Sequence, residues 1–261
     1  MPELPEVEAA RRRIDAGALN RTIEGFSLGE TSHVELPSKK ERARLVGTQF
    51  SRTHRHGKYM FAGSKDGPWL LIHLGMAGSI RVLEEGAELP DYIRFTVAFE
   101  GGTRLHFRDP RKFGYVRLVE DPEALVAEKD LGPDALEIGE NAFIAAISST
   151  RGAVKPALLN QKKLAGIGNL WADETLYRLG LHPETKGTDL DTATLRKMHR
   201  ESRNILQAVI DTGATYSRLP DDWLIHRRKA GAACGRCDGE ITKQTVSGRT
   251  AYFCASHQEA A

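Results

Sequence analysis

The sequence predicts an α+β protein: an N-terminal helix leading a β-rich domain, then a helical domain that ends in a cysteine-bearing hairpin. Three observations carry this reading. Residues 3–18 have helical character, residues 21–120 hold eight short β-prone runs, and from Lys155 the apolar period becomes helical. A length of 261 residues suits one large domain or two modest ones, each with its own core.

In the first helix Pro5 suits the first turn. Glu3, Glu6 and Glu8 favour the positive helix N-terminus, and Arg11, Arg12 and Arg13 follow. The β-prone runs are 22–26, 49–53, 59–62, 70–73, 80–83, 93–99, 104–108 and 115–118. Gly57, Gly67-Pro68, Gly75 and Gly101-Gly102 punctuate them, a spacing that predicts a sandwich or a barrel. Residues 121–152 mix helical pieces with Gly132-Pro133 and Gly139 and read as the passage between two domains.

Beyond it, Ala157, Leu158, Leu159 and Leu164, then Leu170, Ala172, Leu176 and Tyr177, recur at helical spacing. A longer helix is expected over 192–212, with Leu195, Met198, Ile205, Leu206 and Val209 on one face. Asp189 or Asp191 could cap it and Gly213 could end it. Ile241, Thr245, Tyr252 and Phe253 alternate around Ser247-Gly248 and read as a hairpin. The expected divisions are 1–130 for the β-rich domain, 131–152 for a linker, 153–229 for the helical domain and 230–261 for the hairpin. No internal repeat or low-complexity tract interrupts this plan.

Apolar residues make up 40% and charged residues 28%, which excludes a disordered or fibrous chain. The longest apolar runs, such as Trp69-Leu70-Leu71-Ile72, fall far short of the ~18 residues of a membrane span. The start lacks a basic, apolar signal segment, so a cytoplasmic protein that is not secreted is expected. The net charge of +2 announces no nucleic-acid binder, but residues 225–261 alone carry six basic against three acidic residues.

All three cysteines lie in the last 28 residues, which points to a metal site, not a disulfide framework. Cys234-x2-Cys237 is followed by Cys254-x2-His257 across the hairpin. Two close ligand pairs of thiolate and imidazole are what tetrahedral Zn²⁺ needs, and four protein ligands leave no open position, so one structural zinc ion is expected. At the other end, loss of Met1 would expose Pro2 as a secondary amine. An α-amino group titrates near ~7.7–8.0, leaving a nucleophilic fraction at neutral pH. An ordinary proline at a helix start is the plain alternative.

Several blocks together resolve that choice. Met1-Pro2-Glu3-Leu4-Pro5-Glu6-Val7-Glu8 resembles the opening of the formamidopyrimidine-DNA glycosylase and endonuclease VIII family. Arg55-His56-Gly57-Lys58-Tyr59 resembles its lysine loop. His73-Leu74-Gly75-Met76 and Asp109-Pro110-Arg111-Lys112-Phe113-Gly114 resemble its two void-filling loops. Lys155-Pro156 through Gln161, with Ala165 through Glu174, resembles its helix–two-turns–helix element, and the cysteine hairpin carries Arg249 five residues before Cys254. The blocks stand in family order over essentially the whole chain.

The resemblance implies a catalytic β-sandwich domain and a helical domain with a zinc finger, flanking a cleft for bent duplex DNA. It implies a bifunctional glycosylase and abasic-site lyase acting on damaged double-stranded DNA, associated with the nucleoid; as the fold needs no partner, a monomer is expected. By position, Pro2 is the nucleophile, Glu3 the acid/base partner and Glu6 its support. Lys58, Asn169 and Arg249 match phosphate contacts, with Lys155 and His73 as weaker candidates. The Gly166–Gly168 turn is expected to offer its amides to phosphate. Met76, Arg111 and Phe113 match the trio that fills the gap left by an extruded base.

Two departures stand out. His257 occupies a ligand position where the family usually has cysteine. The segment 213–234 looks about ten residues short of the family's loop over a flipped 8-oxoguanine, which widens the range of expected lesions. Leu4 before Pro5 is instead the formamidopyrimidine-type opening, so the two clues to lesion preference conflict. A non-catalytic binder of distorted DNA and an RNA-associated protein are the competing classes; neither gives Pro2, Glu3 and Lys58 a joint role.

Overall fold

The computed structural model describes residues 1–65 and 67–258. The chain divides into two compact units, one of Met1–Pro2 with Glu6–Asp130, the other of Glu3–Pro5 with the chain from Leu131 onward.

The first unit begins with α1 (Leu4–Gly17), whose first residues cluster with the second unit. Strands β1 (Ile23–Leu28), β2 (Phe50–His56), β3 (Tyr59–Ser64), β4 (Trp69–His73), β5 (Ser79–Leu83), β6 (Ile93–Phe99), β7 (Arg104–Arg108) and β8 (Tyr115–Val119) follow, with short α2 (Lys39–Ala43) between β1 and β2. They form two antiparallel four-stranded sheets, ordered β1-β6-β7-β5 and β2-β3-β4-β8. Alternation along the strands turns Phe95, Val97, Phe99, Leu105 and Phe107 of one sheet and Phe50, Met60, Leu70, Ile72 and Val116 of the other into one core. The architecture is therefore a sandwich. Val7, Ala10 and Ile14 of α1 join that core. Helix α3 (Pro122–Glu128), capped by Asp121, ends the unit.

The second unit contains α4 (Glu140–Ser148), α5 (Val154–Leu159), α6 (Asn169–Leu179), α7 (Thr192–Asp211) and the hairpin β9 (Ile241–Val246) and β10 (Arg249–Cys254). Residues 131–152, expected as a linker, are built into it: Phe143 and Ile147 of α4 are buried beside Val154, Leu158, Trp171 and Leu206. An apolar helix face finds its lowest free energy inside a core, so this stretch packs. Asp191 caps α7 by accepting from the Thr194 amide at 2.7 Å, and Gly213, at φ +64°, follows its end. Ser247 (φ +47°) and Gly248 (φ +76°) make the two-residue turn between β9 and β10. No described helix is long and apolar enough to cross a membrane.

Candidate nucleic-acid interface and metal centre

The chain start is anchored by a buried carboxylate. Glu3 is 2% exposed and precedes α1, so it does not head that helix as its sequence position suggests. It caps α6 instead, accepting from the amides of Gly168 at 2.7 Å, Leu170 at 2.8 Å and Trp171 at 3.3 Å. These donors at a helix N-terminus stabilise an anion. The two glycines of the 166–168 turn make room: a Cβ on Gly168 would lie 2.3 Å from Glu3 Cδ, and one on Gly166 2.4 Å from Leu4 Cδ1. Two of the amides that this turn was expected to offer to phosphate are taken up within the chain. The Gly166 amide goes to Gln161 Oε1 at 3.0 Å and the Gly168 amide to Glu3. Pro2 and Glu6 are half-buried on either side of this anchor in the sequence.

In the first unit, Lys58 occupies the β2–β3 turn with Gly57, whose φ of +55° closes the hairpin at the His56–Tyr59 pair. Arg55 is buried beneath it, donating to the Gly57 carbonyl at 3.1 Å and to Glu8 at 3.2 Å. Burial opposes the charge on Glu8, but Arg11, Arg12 and Arg55 outweigh it and hold the carboxyl down to about 2. Neither Glu8 nor Arg55 stood out in sequence as a tie between α1 and the lysine turn.

His73, one of the weaker phosphate candidates, lies between two aromatic rings. Its ring lies 5.0 Å from both Tyr59 and Tyr115, and burial, with Lys58 and Lys129 adding repulsion, pushes its pKa down to about 4. Its Nδ1 accepts from the Gly75 amide at 3.3 Å.

The two void-filling candidates occupy adjoining loops. Gly75, at φ +59°, has no room for a Cβ, which would lie 2.3 Å from the Gly114 nitrogen, so 74–78 and 109–114 run backbone against backbone. The buried Asp109 shapes the second loop, accepting from the amides of Arg111 at 3.0 Å and Gly114 at 2.7 Å. Met76 is 38% and Phe113 57% exposed, and the exposed Arg111 guanidinium lies 5.4 Å from the Phe113 ring centre. Both apolar side chains are loop tips, not core.

In the second unit Asn169 opens α6 and is half-buried, and Arg249 is exposed beside the hairpin turn. Lys155 is corrected: it is fully buried, its ammonium 2.7 Å from Asp173 and donating to the Thr250 carbonyl at 2.5 Å. It has no surface to offer a phosphate.

Cys234, Cys237, Cys254 and His257 converge, their ligand atoms all within 4.8 Å of one another. The separations Cys237–Cys254 of 3.5 Å, Cys234–His257 of 3.4 Å and Cys237–His257 of 3.7 Å match tetrahedron edges. Thiolate and imidazole bonds of about 2.3 and 2.0–2.1 Å give edges of about 3.4–3.8 Å. The other His257 nitrogen meets the Tyr177 carbonyl at 3.0 Å, which orients the ring, and the Tyr177 hydroxyl lies 3.2 Å from Cys234 Sγ. The residues fit a metal ion.

A model of the formamidopyrimidine-DNA glycosylase N-terminal domain matches residues 1–116, and one of the H2TH domain of the same enzyme matches 131–221. A Geobacter metallireducens formamidopyrimidine-DNA glycosylase is 33% identical, covering 97% of this chain and 98% of its own. The chain belongs to the formamidopyrimidine-DNA glycosylase family.

The Bacillus subtilis enzyme of this formamidopyrimidine-DNA glycosylase family is 32% identical over 99% of both chains. A crystal structure of wild-type Lactococcus lactis Fpg (MutM) with DNA containing N7-benzyl-Fapy-dG superposes with a TM-score of 0.87 at 28% identity, over 99% of this chain and 100% of that one. MutM in complex with DNA containing carbocyclic 8-oxo-G has a TM-score of 0.85 at 28% identity, with the same coverage. In this family member, sequence reading passed over Asp109, Asp173 and Glu174. Asp109 lies between Arg108 and Pro110, and Asp173 and Glu174 adjoin each other, so no local pattern marked them as buried polar partners.

Proposed function

We propose that this chain is a base-excision repair enzyme, a bifunctional DNA glycosylase and abasic-site lyase acting on oxidised or ring-opened bases in duplex DNA. The observation that carries the reading is the anchored chain start. Termini are ordinarily loose, yet here Glu3 is 2% exposed and held by three amides, which gives residue 2 a defined position.

Removal of Met1 frees the Pro2 amine. Its lone pair attacks C1′ of the damaged nucleotide as the C1′–N bond breaks and the base departs with a proton; the C1′–O4′ bond then opens, O4′ taking up the proton released by the Pro2 nitrogen, to leave an iminium between Pro2 and C1′. The resulting iminium acidifies C2′; loss of that proton expels the 3′ phosphate by β-elimination, and a second elimination releases the 5′ phosphate. Glu3, favoured as carboxylate by its donors, serves as proton acceptor and counter-charge to the iminium. Glu6 supports it. Lys58, Asn169 and Arg249 bind phosphates, while Met76, Arg111 and Phe113 replace the stacking of the extruded base.

One zinc ion, held by Cys234, Cys237, Cys254 and His257, keeps the hairpin in shape. Its chemistry is structural. The protein acts as a monomer on chromosomal DNA.

Lesion choice rests on residues 213–229. Leu219, Trp223 and Leu224 are buried there, and Trp223 packs edge-on to Trp171 at 6.5 Å, so the segment is occupied in core packing. Without a free loop to close over a purine, selection for 8-oxoguanine is weak and ring-opened purines, hydantoins, oxidised pyrimidines and abasic sites are favoured.

Borohydride trapping on duplexes carrying these lesions tests the reading, because reduction fixes the iminium as a covalent band. Bands on abasic and ring-opened substrates, weaker on 8-oxoguanine, are expected. No band from protein shown by mass spectrometry to lack Met1 sinks the lyase and leaves a binder of distorted DNA.

A further inference from the structure

Asp173 lies inside α6, 1% exposed, where a carboxylate is costly unless fully partnered. Every partner it has comes from another element. Lys155 of α5 is 2.7 Å from Oδ1, while Arg228 at 2.7 Å and the Tyr252 amide at 3.2 Å reach Oδ2. Lys155, itself fully buried, also donates to the Thr250 carbonyl at 2.5 Å. Arg228 stacks on the Tyr252 ring at 4.5 Å. The backbone of β10 is thus gripped at residues 250 and 252, immediately after Arg249.

Stability alone does not account for this cluster. Burial works against both charges, raising the pKa of Asp173 and lowering that of Lys155. A buried pair replaced by apolar side chains is often neutral or better for stability, whereas its directional bonds define a geometry. Arg249 is exposed and at the end of a two-stranded hairpin, an element marginal by itself, so its aim depends on such an attachment.

We propose that Asp173 is a positioning residue for DNA binding: with Lys155 it fixes residues 250–252 of the hairpin and so aims Arg249 at a phosphate. This rests on the reading of Arg249 as a phosphate contact. It gives Lys155 a role one step behind the interface.

A double-mutant cycle tests it, using a duplex with a tetrahydrofuran abasic analogue that cannot be cut. Affinity and its salt dependence are measured for the full chain, Asp173→Asn, Arg249→Ala and the double variant, with metal content checked in each. Each single change is expected to weaken binding about tenfold, the scale of one charge-assisted contact, and to lower the salt slope by about one. The double variant is expected to bind no more weakly than Arg249→Ala. Additive losses, or an Asp173→Asn protein with unchanged affinity and slope, overturn the proposal. An Arg249→Ala protein that binds normally sinks the phosphate assignment itself, and this role with it, separately from any result at Asp173. Should Asp173→Asn fail to fold, Arg228→Gln, which removes a partner at the exposed side, takes its place in the same cycle with the same outcomes.

Discussion

Glu3 accepts the Gly168 amide at 2.7 Å across a sequence separation of 165 residues. One carboxylate thereby serves as the cap that α6 lacks at its own N-cap position, where glycine has no side chain to offer. The pairing depends on glycine for space as well as for the amide, since a Cβ would fall 2.3 Å from Glu3 Cδ.

Gly168→Ala is therefore expected to displace Glu3 and with it Pro2. Overpacking of this kind costs about 1–3 kcal/mol, read as a lowered Tm. Borohydride trapping on an abasic duplex should fall more than tenfold. A variant with normal trapping would show that the anchor is dispensable.

His73 makes stability pH-dependent in a defined window. Its pKa is depressed from 6.5 to about 4 in the folded state, so between those values the unfolded chain binds more protons. Stability is full above 6.5 and is lost as pH falls toward 4, by at most about 3 kcal/mol. His73→Phe keeps the aromatic stack and should flatten urea midpoints between pH 7 and 4.5.

Glu174 works in the opposite direction. It accepts from the amides of Leu224 at 3.1 Å and Ile225 at 3.0 Å, but burial dominates and pushes its pKa from 4.5 up to about 7. Its unfolded form releases a proton first, so stability declines as pH rises from 4.5 through 7. Glu174→Gln should remove this decline, measured as the difference in unfolding free energy between pH 5 and 8.

Met76 and Phe113, as exposed loop tips, should tolerate truncation. Met76→Ala and Phe113→Ala are each expected to shift stability by no more than about 0.5 kcal/mol, while single-turnover excision falls about tenfold through lost base-gap filling. A large drop in Tm would return either residue to a packing role.

Metal removal should act locally. Cys234 and Cys254 pack with Tyr177, Leu224 and Ile241 in a small cluster, separate from the sandwich core. Chelation or Cys237→Ser should release one zinc per chain and abolish duplex binding in a shift assay, while the β-sheet circular dichroism signal persists.

Much of the fold was legible locally. Runs 93–99 and 104–108 coincide with β6 and β7, because alternation of Phe95, Val97 and Phe99 with polar neighbours needs no distant information. Helix α2 was missed, although its capping box of Ser38 and Glu41 is written in the sequence; five residues with none buried leave no apolar period to read. The stretch 131–152 was misread because its glycines and Pro133 signal turns, while the packing of Phe143 and Ile147 depends on partners far along the chain.

The strand pattern, the hairpin, the four metal-ligand candidates and the family blocks are legible in the chain alone, since each is a matter of spacing between near neighbours. The electrostatic roles emerge with long-range folding. It took Lys155 from the surface into a buried pair with Asp173, held His73 neutral between two tyrosines, and sent Glu3 to the N-terminus of α6. A charge is set by how much water it loses and by which partners replace that water. Those partners lie from 14 to 168 residues away, beyond any local pattern.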